Sequence, residues 1–141
     1  MTGNTSYFYV SVFHTLPGAA NIATYSQTDN DFQYTSTAAY LLVAGSALVV
    51  TPLTMWCVPP QATHFRYWAE INATLAGRNA LIGEATSWHI LLDPTGMGYA
   101  GTRGEFGEFS LVGAGASTGV FKYTVSDAAT VVTIQCTGFR M

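Results

Sequence analysis

Charge is scarce in this sequence. Only 9 % of its 141 residues are charged, against roughly 25 % in ordinary soluble domains. Lys122 is the single lysine, and the arginines Arg66, Arg78, Arg103 and Arg140 are scattered one by one. With a net charge of −3, nothing here builds the clustered cations that phosphate neutralisation requires, which argues against a nucleic-acid partner. Cysteine is equally sparse. Cys57 and Cys136 have no CxxC spacing, which excludes an ordinary zinc site. Both lie in apolar, strand-like runs and read as free buried thiols, with a disulfide as the alternative.

Motifs that carry chemistry are also missing. His14, His64 and His89 are far apart, with no HxH or HExxH spacing to build a metal centre. No P-loop is present; Gly96-Met97-Gly98-Tyr99-Ala100-Gly101 and Gly115-Ala116-Ser117-Thr118-Gly119 match GxGxxG and GxSxG as bare strings, but no helix is expected after either, which a phosphate loop or a nucleophile elbow requires. Glu105 and Glu108 form the one close glutamate pair, in the tandem triplets Gly104-Glu105-Phe106 and Gly107-Glu108-Phe109. Glycoside hydrolysis needs two carboxylates at a fixed separation across a cleft. Here they fall in a stretch with glycines at 96, 98, 101, 104 and 107, read as an irregular loop with solvated carboxylates. Asp29-Asn30-Asp31 reads as an Asx turn rather than a calcium site. The expectation is a protein that is not an enzyme and uses no cofactor or metal.

The first six residues lack the basic and apolar regions of a secretory signal. Residues 32–63 carry no charge, and residues 38–50 are strongly apolar. Gly45, Ser46, Thr51, Pro52 and Thr54 interrupt that run, so no membrane span is expected. The matched sequon Asn72-Ala73-Thr74 is read as chance.

Present in quantity are hydrophobic residues, at 49 %, and aromatics, at 13 %. They fall in short runs split by Gly, Pro, Asn and Asp, the pattern of an all-β chain. Residues 63–73 give the clearest strand. Phe65, Tyr67, Ala69 and Ile71 form a core face, while His64, Arg66, Trp68, Glu70 and Asn72 face outward. In residues 6–15, Tyr7, Tyr9 and Phe13 share the face opposite Phe8, Val10 and Val12. Strands are also expected over 22–27, 32–35, 53–58, 85–92 and 109–112, and over 40–44 and 48–51, where a short helix is the alternative because Ala and Leu favour it. Residues 75–83 read as turn-rich. Residues 121–125 and 132–136 read as a C-terminal hairpin around Ser126-Asp127-Ala128-Ala129. The expected fold is a single-domain β-sandwich over residues 1–141, jelly-roll-like, with about eight strands.

Two faces are candidate interaction surfaces. His64, Arg66, Trp68, Glu70 and Asn72 combine an indole, a guanidinium and amide or carboxylate groups, a mixture suited to a protein interface or to stacking on a sugar. Tyr7, Tyr9 and Phe13 suit contact with an identical subunit. A small domain with so little charge is expected to bury much of its surface against neighbours.

In whole-chain style the sequence resembles the capsid decoration (cement) and fibre-knob proteins of tailed phages. The features that carry this are the Thr/Ala/Gly-rich β runs, the low charge, Leu16-Pro17-Gly18 and the strand Thr130-Val131-Val132-Thr133-Ile134-Gln135-Cys136. The resemblance implies a homotrimer on the virion surface, holding a larger protein assembly such as a capsid together or presenting loops to a host. A carbohydrate- or host-receptor-binding module of a tail fibre or spike is the alternative.

Overall fold

The computed structural model describes residues 25–35, 40–59, 61–83, 88–91, 101–111 and 121–141. Among these the chain is all β, in two antiparallel sheets with no closed barrel. The strands are β1 (Tyr25–Thr28), β2 (Asp31–Tyr34), β3 (Tyr40–Gly45), β4 (Thr51–Pro52), β5 (His64–Ala73), β6 (Ala80–Gly83), β7 (Trp88–Leu91), β8 (Gly101–Ser110), β9 (Lys122–Val125) and β10 (Thr130–Arg140).

The pairings are nested: β3 with β10, β4 with β9, β5 with β8, and β6 with β7. A long antiparallel ribbon rolled over itself gives this order, with alternate ribbon segments falling in opposite sheets. One sheet reads β3-β10-β5-β8, extended by β2 and β1 beside the far end of β10; the other reads β4-β9-β6-β7. This is the jelly roll.

The core lies between the sheets. Phe65, Tyr67, Ala69 and Ile71 of β5, Val132, Ile134 and Cys136 of β10, and Ala80, Ile82, Tyr123 and Val125 of the smaller sheet are all buried. Phe65, Phe109 and Phe121 pack edge-on or stacked, with centroids 4.9 to 6.1 Å apart. Complete burial of one such side chain stabilises by about 1.5–3 kcal/mol. Near its end β10 breaks its alternation with a bulge between Cys136 and Gly138, which turns Phe139 inward onto Phe32 (4.8 Å, stacked). Gly138 is required there, because a β-carbon would strike the carbonyl oxygen of Phe32. Asp29, in the left-handed region (φ 53°), opens the two-residue turn between β1 and β2.

Several expectations need correcting. Residues 101–107 are not an irregular loop: they belong to β8, which also absorbs the strand expected to start at Phe109. The glycines misled the reading, because Gly104 and Gly107 each make room for a ring of β5 rather than breaking the strand. Residues 80–83 of the turn-rich stretch form β6. Residues 53–58 form no strand; they are a covering loop whose Leu53, Met55, Cys57 and Val58 seal the core. The strand expected over 48–51 shrinks to Thr51–Pro52. The C-terminal hairpin is also wrong. β9 and β10 are strands, but Ser126–Ala129 carries the chain between sheets, so each pairs elsewhere. Alternation marks a strand in either case, and does not say which neighbour it pairs with.

Both cysteines are free and buried, as expected. Among the described residues no helix is long and apolar enough to cross a membrane. The strand expected over residues 6–15, with Tyr7, Tyr9 and Phe13, lies outside the described residues, as does His14.

Candidate interaction face

His64, Arg66, Trp68, Glu70 and Asn72 do share one face of β5. Their inward neighbours Phe65, Tyr67, Ala69, Ile71 and Ala73 are buried, while they themselves are partly or fully exposed. β5 is flanked by β8 and β10 over its whole length, so its outer residues sit in rows across three strands. Phe106, Trp68 and Gln135 form the central row; Gly104, Glu70 and Thr133 the next; Thr102, Asn72 and Val131 the third.

The tandem triplet of β8 takes a different form on a strand than in a loop. A repeat of three on a period of two places its copies on opposite faces. Phe109 and Gly107 point inward and Phe106 and Gly104 outward, opposite β5 residues of the same face. Phe109 is 4 % exposed and Phe106 78 %. The rings of β5 occupy the space left by both glycines: Tyr67 lies on Gly107 inside the sandwich, and the Trp68 indole lies on Gly104 outside it. Phe106 and Trp68 are therefore cross-strand register partners on the outer face.

At one end of this face stands an ion-pair cluster. Arg66 donates from Nη2 to Asp31 Oδ2 (2.7 Å) and from Nε to Glu108 Oε2 (2.8 Å), and Arg140 Nη2 reaches the same Glu108 oxygen at 3.4 Å. The hydrogen bonds to Glu108 and then Asp31 hold the Arg66 guanidinium above its ordinary pKa. Arg66 thus ties β2, β5 and β8 together rather than standing free for a partner. Beside it, His64 Nδ1 lies 3.0 Å from Thr63 Oγ1. Glu70, by contrast, has no ion-pair partner among the described residues.

The face therefore has an apolar aromatic centre, hydrogen-bonding groups on one side and charge on the other. The sequence reading found the β5 half of it and missed Phe106, Glu108 and Asp31. The signal for Phe106 was the triplet itself, once placed on a strand. Among the described residues no three His, Cys, Asp or Glu side chains converge as metal ligands. Asp31, once weighed for calcium, is engaged by Arg66.

Comparison with known proteins leaves the fold and this face to stand alone: no family model, no curated protein and no solved structure matches the chain.

Proposed function

We propose that the chain is a non-enzymatic structural module of a virion, a decoration or cement protein that oligomerises, with a trimer favoured, and binds the outer surface of a viral shell. The observation that carries this reading is that Phe106, 78 % exposed, and Trp68 stand side by side in register on the outer sheet face. Covering these two rings gains about 25 cal/mol per Å² of apolar area. Trp at the centre of a patch is typical of interface hot spots. The low charge of the chain and the exposed Val43, Leu48 and Val49 add further uncharged surface for neighbours. Jelly rolls recur in viral capsid and lectin domains, which supports the reading by fold analogy only.

Light scattering across a concentration series, followed by cosedimentation with viral shells, tests it. A defined oligomer that pellets with shells supports the proposal. A monomer that stays in the supernatant rejects it.

The second reading, a carbohydrate- or receptor-binding module, is favoured by Glu70. An unpaired carboxylate beside a flat indole suits a sugar, whose CH face stacks on the ring and whose hydroxyls donate to the acid. Saturable binding on a glycan array, without shell binding, selects it.

A further inference from the structure

The two cysteines meet in the core from opposite sides. Cys136 sits in β10, the central strand of the larger sheet, at the start of its bulge, and Cys57 lies in the covering loop; both are 0 % exposed. Two hydrogen bonds fix the loop over this part of β10. Trp56 Nε1 donates to the carbonyl of Tyr40 (3.2 Å), and Tyr40 is the register partner of Gln135. The Tyr34 hydroxyl donates to the carbonyl of Cys57, from a strand whose Gln33 faces Gly138. The Trp56–Cys57 turn is therefore held at both ends against residues 135–138, and the two thiols interact. Cys136 Sγ also reaches the carbonyl of Gly138, at 3.6 Å.

We propose that Cys57 and Cys136 are a site of reversible intramolecular disulfide formation, driven by exchange with a low-molecular-weight disulfide. The Cys57 thiolate attacks one sulfur of the small disulfide and expels one small thiolate. The Cys136 thiolate then attacks Cys57 Sγ and expels the second. In sum, two protein thiols and one small disulfide give one protein disulfide and two small thiols; the cysteines are oxidised and the small disulfide is reduced. Cys57 reacts first because it stands on an irregular loop, whereas Cys136 is locked in a central strand. Burial pushes the Cys57 thiol well above its ordinary pKa, so exchange proceeds through opening of the loop and accelerates as pH rises. Closure staples the covering loop to the centre of the sheet, across a long stretch of chain. This inference does not depend on the function proposed above.

The test uses the full chain, folded, incubated with oxidised glutathione at mildly alkaline pH, and reads intact mass, a non-reducing peptide map and thermal unfolding. The expected result is a mass lower by two hydrogens, a single cross-linked peptide pair containing Cys57 and Cys136, and a melting temperature raised on the order of 10 °C, reversed by dithiothreitol. Cys57→Ala and Cys136→Ala should each lose the two-hydrogen change. Glutathione adducts on both cysteines, a cross-link between chains, or thiols that react only in urea would each overturn the proposal. If neither variant folds, the wild-type peptide map still decides.

Discussion

The indole of Trp68 lies across Gly104, with its Nε1 3.0 Å from where a β-carbon would stand, while the ring of Tyr67, the preceding residue, lies against Gly107 on the other side of the same sheet. Two adjacent aromatic residues of β5 thus use two glycines of β8 as seats, one wet and one dry.

The two seats respond differently to a methyl group. At Gly107 a β-carbon would come within 2.7 Å of Tyr67 Cε1 and closer still to its hydroxyl. Tyr67 cannot retreat, being packed 5.6 Å from both Phe65 and Phe109. Gly107→Ala should therefore cost about 1–3 kcal/mol in urea unfolding, the usual penalty for overpacking. At Gly104 the nearest indole atoms are 3.0 to 3.2 Å away, and Trp68 has room to lift. Gly104→Ala should cost less than about 1 kcal/mol while changing tryptophan fluorescence. The opposite order would mean that the rings are not seated as described.

This arrangement also explains what the sequence made legible. The alternation of β5 is unbroken over ten residues, so its two faces could be assigned before any neighbour was known. β8 hid itself, because glycine ordinarily signals a turn or loop. Its role became readable only once the rings of Tyr67 and Trp68 were in place. The β9–β10 corner was hidden for another reason. Strand alternation records which face is buried, and a corner between two sheets leaves the same record as a hairpin. The jelly roll was accessible as a preference among β-sandwiches; its nested pairings were not, since strand order is set by long-range contacts.

Phe106 separates stability from association. At 78 % exposure it contributes little to folding, so Phe106→Ser should leave the urea midpoint within about 0.5 kcal/mol of wild type. If the outer face is an interface, the same change should abolish cosedimentation with shells or lower the oligomer mass in light scattering. Retention of both would remove this face from the proposed function.

Arg66 is expected to act on folding first. Its bonds to Asp31 and Glu108 are partly exposed, with side-chain accessibilities of 31 to 36 %, so each is worth no more than about 1 kcal/mol. Arg66→Leu should cost about 1–2 kcal/mol in total. Arg66→Glu should cost more, because it sets a third carboxylate between two others. Raising salt to about 0.5 M should shrink the difference between the two variants, since screening acts on repulsion at the surface. A shell-binding defect in Arg66→Glu is therefore interpretable only beside its unfolding curve.

Alkaline pH should weaken the fold through groups buried in their neutral form. Burial, and to a lesser extent the nearby Cys136, Cys57 and Tyr25, holds Tyr34 far above the ordinary tyrosine pKa of 10.0. Burial and then Glu105 raise Tyr67, and burial raises Cys57. Below their unfolded-state values these groups keep their protons in both states, and stability does not depend on pH through them. Above those values the unfolded chain ionises while the folded chain does not. The unfolded state then binds fewer protons, and stability falls with pH by up to about 1.4 kcal/mol per unit for each group. Urea midpoints should be flat from pH 7 to 8, begin to drop near 9 as the Cys57 thiol ionises in the unfolded chain, and drop more steeply above 10. Tyr34→Phe should lower stability at pH 7 by about 1 kcal/mol, through loss of the bond to the Cys57 carbonyl, yet show a shallower decline above pH 10. A parallel decline in wild type and variant would show that Tyr34 is not held protonated by the fold.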